Sequence, residues 1–140
     1  MNRKRLRLVL AEDNELMLNT MMKRLLLDFD VIGAARNGVD AVEVVQALKP
    51  DALVIDVTMP ILGGIQALRT MREAKLDVPP TVMVSTHNDI SVVREALASG
   101  AFGYVLKSRF YQDASIAILR AMSRMTFVSE PLFSEMRLTS

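Results

Sequence analysis

Cysteine and tryptophan are absent from this chain of 140 residues, and histidine occurs once, as His87. Without cysteine the chain can form no disulfide, no thiolate nucleophile and no cysteine-ligated zinc or iron–sulfur site. A single histidine gives little support to a histidine-rich metal site or a phosphohistidine relay. A chain without cysteine is compatible with a reducing compartment, and the cytoplasm is the location we expect.

Long apolar runs and a strong charge imbalance are also lacking. No apolar run approaches the roughly 18 residues that span a bilayer, and the basic start at residues 1–7 leads into too short an apolar stretch for a signal peptide. The formal net charge is +1, with 51% hydrophobic and 24% charged residues, which is typical of an ordinary globular protein. We expect no membrane partner, and we interpret the basic start as a frayed terminus rather than a nucleic-acid-binding arm.

What the chain does contain is an alternation of short apolar segments with longer segments of helical period, which predicts one α/β domain. Several of the short segments are apolar throughout, so we expect a doubly wound parallel sheet with helices on both faces. The predicted strands are 6–11, 31–35, 52–57, 81–85 and 103–106. The predicted helices are near 14–27, 38–48, 63–74, 89–99 and 113–125, the last with Ala114, Ile118, Ala121 and Met125 on one apolar face.

Polar side chains fall at the ends of these predicted strands. Glu12 and Asp13 follow the first strand, Asp56 lies near the end of the third, Ser85 ends the fourth and Lys107 follows the fifth. Because the carboxyl ends of parallel strands lie along one edge, residues distant in sequence should converge there.

Asp56 is the strongest signal, since it interrupts the apolar run Ala-Leu-Val-Ile-Asp-Val at 52–57. An unpaired buried carboxylate costs several kcal/mol, so a cation must compensate it. Three carboxylates at one edge suit Mg²⁺ or Mn²⁺ better than zinc, and Lys107 adds a second positive charge. A carboxylate beside a hard cation and a lysine is a plausible phosphoryl acceptor.

Four segments resemble the signature of response-regulator receiver domains from two-component systems. They are Val-Leu-Ala-Glu-Asp at 9–13, Asp-Val-Thr-Met-Pro at 56–60 with Gly63 and Gly64, Val-Ser-Thr at 84–86 and Tyr-Val-Leu-Lys at 104–107. The resemblance covers residues 6–125. It implies a flavodoxin-like (βα)5 fold whose five-stranded sheet has the order 2-1-3-4-5.

By resemblance, Asp56 is phosphorylated by a sensor histidine kinase or a phosphotransfer protein. Asp13 would bind Mg²⁺ directly, Glu12 through water, and Thr58 through its backbone carbonyl, with Mn²⁺ as a possible substitute. Lys107 and Ser85 would contact the phosphoryl oxygens.

The same resemblance implies a switch. Inward turns of Ser85 and Tyr104 would remodel the surface of the fourth helix, fifth strand and fifth helix, and Thr58 and His87 would tune the lifetime of the phosphorylated state.

Ser85 and the segment Gly-Ala-Phe-Gly-Tyr-Val-Leu-Lys-Ser at 100–108 resemble the NarL/FixJ type of transcription regulator. In that branch a helix-turn-helix domain follows, so we expect a receiver at 1–125 and a linker segment at 126–140, with the output domain absent from this chain. DNA would be bound only through that missing domain, and we expect weak or phosphorylation-dependent homodimers. Many receivers have proline after the lysine, whereas Ser108 follows Lys107 here, and a cis bond at such a site costs about 2.5–4 kcal/mol.

Simpler interpretations exist for each motif taken alone. Glu12 and Asp13 could cap a helix, Lys107 could be solvated, and Ser85 and Tyr104 could have purely structural roles. A phosphatase of the haloacid-dehalogenase type would need a second carboxylate where Thr58 stands. The serious alternative is a receiver-like interaction module that signals without phosphorylation. For the receiver itself we expect no metabolic enzyme, only self-catalysed phosphoryl transfer and dephosphorylation.

Overall fold

A computed structural model describes residues 5–139 and has one six-stranded parallel sheet in the order β2-β1-β3-β4-β5-β6. The strands are β1 Arg7–Ala11, β2 Asp30–Ala35, β3 Ala52–Asp56, β4 Thr81–Ser85, β5 Gly103–Leu106 and β6 Phe127–Val128. The helices are α1 Glu15–Leu25, α2 Gly38–Leu48, α3 Gly64–Glu73, α4 Ile90–Ala98, α5 Phe110–Met122 and α6 Leu132–Thr139, with a 3₁₀ turn at Lys107–Arg109. The predicted order 2-1-3-4-5 is confirmed, and the sheet has one strand more than predicted.

Helices cover both faces of the sheet, as the uninterrupted apolar strands predict. Successive side chains of a strand point to opposite faces, so Leu53 and Ile55 of β3 pack beneath α2, α3 and α4, while Val54 packs beneath α1 and α5. All five residues of β3 are buried, which places Asp56 at the end of a strand that is shielded from water on both sides.

Two glycines let α3 begin close to the end of β3. A Cβ added to Gly64 would lie 2.5 Å from the backbone oxygen of Asp56, and one added to Gly63 would lie 2.3 Å from that of Val57. Any larger residue would therefore push the chain away from the strand that carries Asp56.

The fifth helix lies three residues earlier than predicted. It begins at Phe110, directly after the 3₁₀ turn, and ends at Met122 rather than at Met125. Arg124 has a φ of 58°, which helical residues do not adopt, so the helix stops before it. Ala114, Ile118 and Ala121 are buried as predicted, but Met125 is half-exposed, and its assignment to the apolar face was wrong.

The segment predicted as a linker, 126–140, contributes both β6 and α6 within its described residues. β6 pairs in parallel with the edge of β5, with Tyr104 opposite Val128. A strand of two residues is too short for hydrophobic periodicity to reveal, which is why the sequence does not predict it.

The basic start of the chain is not frayed where the structure describes it. The Arg5 guanidinium donates to the carbonyls of Leu26 and Phe29 just beyond α1, and that of Arg7 donates to Leu48 and Lys49 at the end of α2. These arginines satisfy carbonyl groups that a helix end leaves without partners. Arg3 and Lys4 lie outside the described residues. Across residues 5–139, no helix combines the length and the apolar character needed to cross a membrane.

Candidate functional site

The carboxyl ends of β1, β3 and β5 bring together Glu12, Asp56 and Lys107. The Lys107 ammonium nitrogen lies 2.7 Å from Glu12 Oε1 and 2.6 Å from Asp56 Oδ2. Glu12 is fully buried and Asp56 is 3% exposed, so the lysine pairs with two carboxylates that water scarcely reaches. This is the convergence that the strand-end positions predict.

Backbone groups fix both carboxylates. The amide of Asn14 donates to Glu12 Oε2 at 3.1 Å, while the Asn14 side chain accepts from Met17 and so caps α1. The amide of Thr58 donates to Asp56 Oδ1 at 3.1 Å. Glu12 Oε1 has close contact with Lys107 but no well-aligned hydrogen bond, which leaves this buried oxygen able to take another partner.

Glu12, Asp13 and Asp56 form an acidic cluster, with one carboxylate oxygen from each within 4.8 Å of the others. The Arg36 guanidinium donates twice to the backbone oxygen of Asp13, which holds this loop in place without using the Asp13 carboxylate. If ionised, the three carboxylates carry a charge of −3 against +1 from Lys107, and the remaining −2 matches a divalent cation. Oxygen ligands of this kind fit Mg²⁺ or Mn²⁺.

Lys107 is held in its charged form by the site. Burial lowers the pKa of its ammonium group, but the close contacts with Asp56 and Glu12 and the charges of those groups outweigh burial. The pKa therefore lies above the ordinary value of 10.5, and the lysine is a permanent cation at neutral pH.

His87 joins three of the other predicted site residues. Its ring Nε2 lies 3.0 Å from Thr58 Oγ1, its amide donates to Ser85 Oγ at 2.9 Å, and its carbonyl accepts from the Tyr104 hydroxyl at 2.9 Å. Thr58 and His87 are exposed, so their contact lies at the mouth of the site above the buried Asp56. The sequence alone does not predict that His87 connects these residues, because neither its loop position nor its type requires it.

Tyr104 already points inward. Its side chain is fully buried, and burial raises the pKa of its hydroxyl above the ordinary value of 10.0, although a hydrogen bond with Ser85 acts in the opposite direction. The Tyr104 side chain thus occupies an inward position in this structure. Ser85 is also fully buried, with its hydroxyl engaged by His87.

A second buried polar cluster, which the sequence pattern does not predict, lies beside the end of β5. Ser129 Oγ donates to Asp113 Oδ2 at 2.7 Å and accepts from the amide of Leu106 at 3.2 Å, while the Arg109 guanidinium donates to Asp113. The i,i+4 spacing of Arg109 and Asp113 was the available signal, but nothing local predicts that Ser129 reaches them.

The peptide bond between Lys107 and Ser108 is trans. Among residues 5–139, a cis peptide bond occurs only at Glu130–Pro131. A cavity lined by Asn14, Leu16, Met17, Thr20, Thr86 and Lys107 opens beside the lysine, so the site can be approached from the α1 side.

Comparisons with known proteins agree with this arrangement. The profile of the response regulator receiver domain matches residues 8–118. The nitrate/nitrite response regulator NarL of Escherichia coli K12 is 33% identical over 127 residues, covering 89% of this chain and 58% of that protein. The transcriptional regulatory protein DegU of Brevibacillus brevis is 32% identical over 125 residues, covering 88% of this chain and 52% of that protein.

Among solved structures, the receiver domain of the putative response regulator NarL from Mycobacterium tuberculosis matches with a TM-score of 0.74 and 26% identity. The match covers 84% of this chain and 98% of that chain. The present chain spans about half the length of the curated relatives it matches. The resemblance predicted from the sequence is thus confirmed: the chain belongs to the response regulator receiver domain family, with relatives of the NarL and DegU type.

Proposed function

We propose that this receiver domain accepts a phosphoryl group on Asp56 in the presence of a divalent cation. The observation that carries the proposal is the Lys107 ammonium 2.6 Å from Asp56 Oδ2, within a cluster of three carboxylates. Phosphoryl transfer requires mainly positioning and neutralisation of charge on the transferred oxygens, and this site offers both.

In the proposed step, an Asp56 carboxylate oxygen attacks the phosphorus of a phosphohistidine on a sensor histidine kinase or a phosphotransfer protein. The new O–P bond forms as the P–N bond breaks, and the bonding electrons go to the leaving imidazole nitrogen. Lys107 and Ser85 contact the transferred oxygens. Asp13, Asp56 and the backbone carbonyl of Thr58 would hold Mg²⁺ or Mn²⁺, with Glu12 bound through water, and the cation would neutralise charge on the phosphoryl group.

Loss of the phosphoryl group requires water to reach Asp56 past Thr58 and His87. Their contact lies at the mouth of the site, which supports a role in setting the lifetime of the phosphorylated state. The resulting activity is slow self-dephosphorylation, and the chain is a switch rather than a metabolic enzyme.

The output that we propose is transcriptional. The names of the relatives describe a transcriptional regulatory protein and a nitrate/nitrite response regulator, and this chain matches about half of each. A receiver at 1–125 followed by a linker at 126–140 would then precede a helix-turn-helix domain, through which alone DNA is bound. We also propose a cytoplasmic location and phosphorylation-dependent homodimers.

The experiment that tests the proposal is intact-mass spectrometry after treatment with acetyl phosphate and Mg²⁺. We expect a single phosphoryl adduct in the unmodified chain, no adduct after chelation of the metal, and no adduct in Asp56→Asn. The matched control is Asp77→Asn, because the Asp77 side chain is 88% exposed and Asp77 does not belong to the acidic cluster.

An adduct that persists in Asp56→Asn would contradict Asp56 as the acceptor. The absence of any adduct under all conditions would favour the phosphorylation-independent interaction module. An adduct of equal yield after metal chelation would contradict the role assigned to Mg²⁺.

A further inference from the structure

The C-terminal segment 127–139 is tied to the domain by a buried polar network. Ser129 is fully buried, its amide donates to the Tyr104 carbonyl, and its hydroxyl bonds both Asp113 and the amide of Leu106. Asp113 is 6% exposed and also pairs with Arg109. A buried hydroxyl with two satisfied bonds is a specific anchor, because removing it leaves buried partners without hydrogen bonds.

The same segment covers part of the surface expected to signal. β6 pairs along the edge of β5, and α6 contacts α4. Leu132 is fully buried and Met136 partly so, and both belong to the apolar cluster that includes Val93 and Ala96 of α4. A partner that uses the α4 and β5 surface must therefore displace residues 127–139 first.

One short turn connects this network to the phosphorylation site. The 3₁₀ turn Lys107–Arg109 carries Lys107 at one end, bound to Asp56 and Glu12, and Arg109 at the other, bound to Asp113. Leu106, whose amide bonds Ser129, immediately precedes this turn. The two residues that bond the network, Leu106 and Arg109, therefore lie one residue before and two residues after Lys107. A shift of Lys107 would displace both of them.

We propose that residues 127–139 form an autoinhibitory latch that phosphorylation of Asp56 loosens. The inference rests on the proposed function. A phosphoryl group on Asp56 adds anionic oxygens that compete for the Lys107 ammonium, so the lysine leaves its position between Asp56 Oδ2 and Glu12 Oε1. The turn then moves, which weakens the hydrogen bond from the Leu106 amide to Ser129 and the ion pair between Arg109 and Asp113. As a result, β6 separates from β5, and α6 separates from α4.

Coupling of this kind is reciprocal. If phosphorylation weakens the latch by some factor, then weakening the latch raises the equilibrium constant for phosphorylation of Asp56 by the same factor. Ser129→Ala provides such a chain, because it removes the anchor and leaves Asp56, Lys107 and the acidic cluster unchanged.

The test is hydrogen exchange measured by mass spectrometry on peptides covering 127–138 of the full chain, with Mg²⁺ and with or without acetyl phosphate. We expect phosphorylation to accelerate exchange in this segment about fivefold, the factor for the loss of one typical buried hydrogen bond. In Ser129→Ala we expect the acceleration before phosphorylation and little further change after it. Ser134→Ala, which alters an exposed serine of the same segment, should behave like the unmodified chain.

The outcomes separate the two proposals when the phosphoryl adduct is measured by intact mass in the same samples. An adduct with unchanged exchange at 127–138 overturns the latch and leaves the proposed function standing. No adduct in the unmodified chain overturns the proposed function, and the latch with it. Exchange in Ser129→Ala equal to that in Ser134→Ala overturns the latch whatever the phosphorylation result.

Discussion

Lys107 supplies the positive charge that allows Glu12 and Asp56 to be buried as carboxylates. Its side chain is 15% exposed, and those of Glu12 and Asp56 are 0% and 4% exposed, so little solvent screening weakens the two contacts. Removing one partner of a buried ion pair is costly because the remaining charge has no compensation. The same residue would therefore be needed both for stability and for phosphoryl transfer.

We expect Lys107→Met to lower the free energy of unfolding by about 3 kcal/mol at neutral pH, measured by urea denaturation. Lys49→Met is the matched control, since Lys49 pairs with Asp77 at the surface, and such a pair contributes at most about 1 kcal/mol. Equal losses in the two variants would contradict the structural role given to Lys107.

The raised pKa values of Tyr104 and Lys107 predict that the free energy of unfolding falls at alkaline pH. Their pKa values in the folded chain are raised, so the folded state holds protons that the unfolded state releases. The stabilisation is fully present below the unfolded pKa values, which are near 10.0 and 10.5, and is lost as pH rises through the higher folded values.

Tyr104→Phe removes the Tyr104 hydroxyl group, which is one of these two titrating groups. We expect its free energy of unfolding to fall less steeply than that of the unmodified chain as pH rises above 10.0, with a difference of up to about 1.4 kcal/mol per pH unit. Tyr111→Phe alters an exposed tyrosine and should keep the original slope. Parallel curves for Tyr104→Phe and the unmodified chain in denaturant titrations would refute the raised pKa.

At the scale of elements, the site depends on how closely helices approach strand ends. α3 begins against β3 because Gly63 and Gly64 have no Cβ, and the Asn14 cap starts α1 directly after Glu12 and Asp13. Both arrangements keep the acidic residues on short, fixed connections. This positioning favours a preorganised site, because little ordering remains when a ligand binds.

We expect Gly64→Ala to lower the free energy of unfolding by about 2 kcal/mol, since the new methyl group would meet the Asp56 backbone oxygen and force α3 outward. Thr70→Ala, at an exposed position of the same helix, should be neutral or slightly stabilising. Chemical denaturation of both variants measures the difference, and a neutral Gly64→Ala would show that α3 can shift without cost.

At the scale of the whole molecule, the acidic cluster places like charges from two different strands at one edge of the sheet. Their repulsion opposes folding, and a divalent cation that binds only the folded state would relieve it. The free energy of unfolding should then depend on the concentration of Mg²⁺.

We expect Mg²⁺ at a hundredfold excess over its dissociation constant to stabilise the chain by about 2.7 kcal/mol, observed as a rise in melting temperature. Asp13→Asn should lose most of this increase, whereas Asp77→Asn, at an exposed position outside the cluster, should retain it. A melting temperature that does not respond to Mg²⁺ in the unmodified chain would count against the cation site.

The sequence by itself determined the first five strands, the first five helices and the family. Apolar strands and helical periods are local patterns, so β4, β5 and α2 have the bounds predicted for them, and Glu12, Asp56 and Lys107 could be expected to converge from their places at strand ends. Only the tertiary structure decided that Ser129 bonds Asp113. The same holds for the contacts that His87 makes with Thr58, Ser85 and Tyr104. It also holds for the position of residues 127–139 against β5 and α4. Each of these contacts joins side chains or backbone groups from different elements, and their energy depends on three-dimensional packing that no local periodicity encodes.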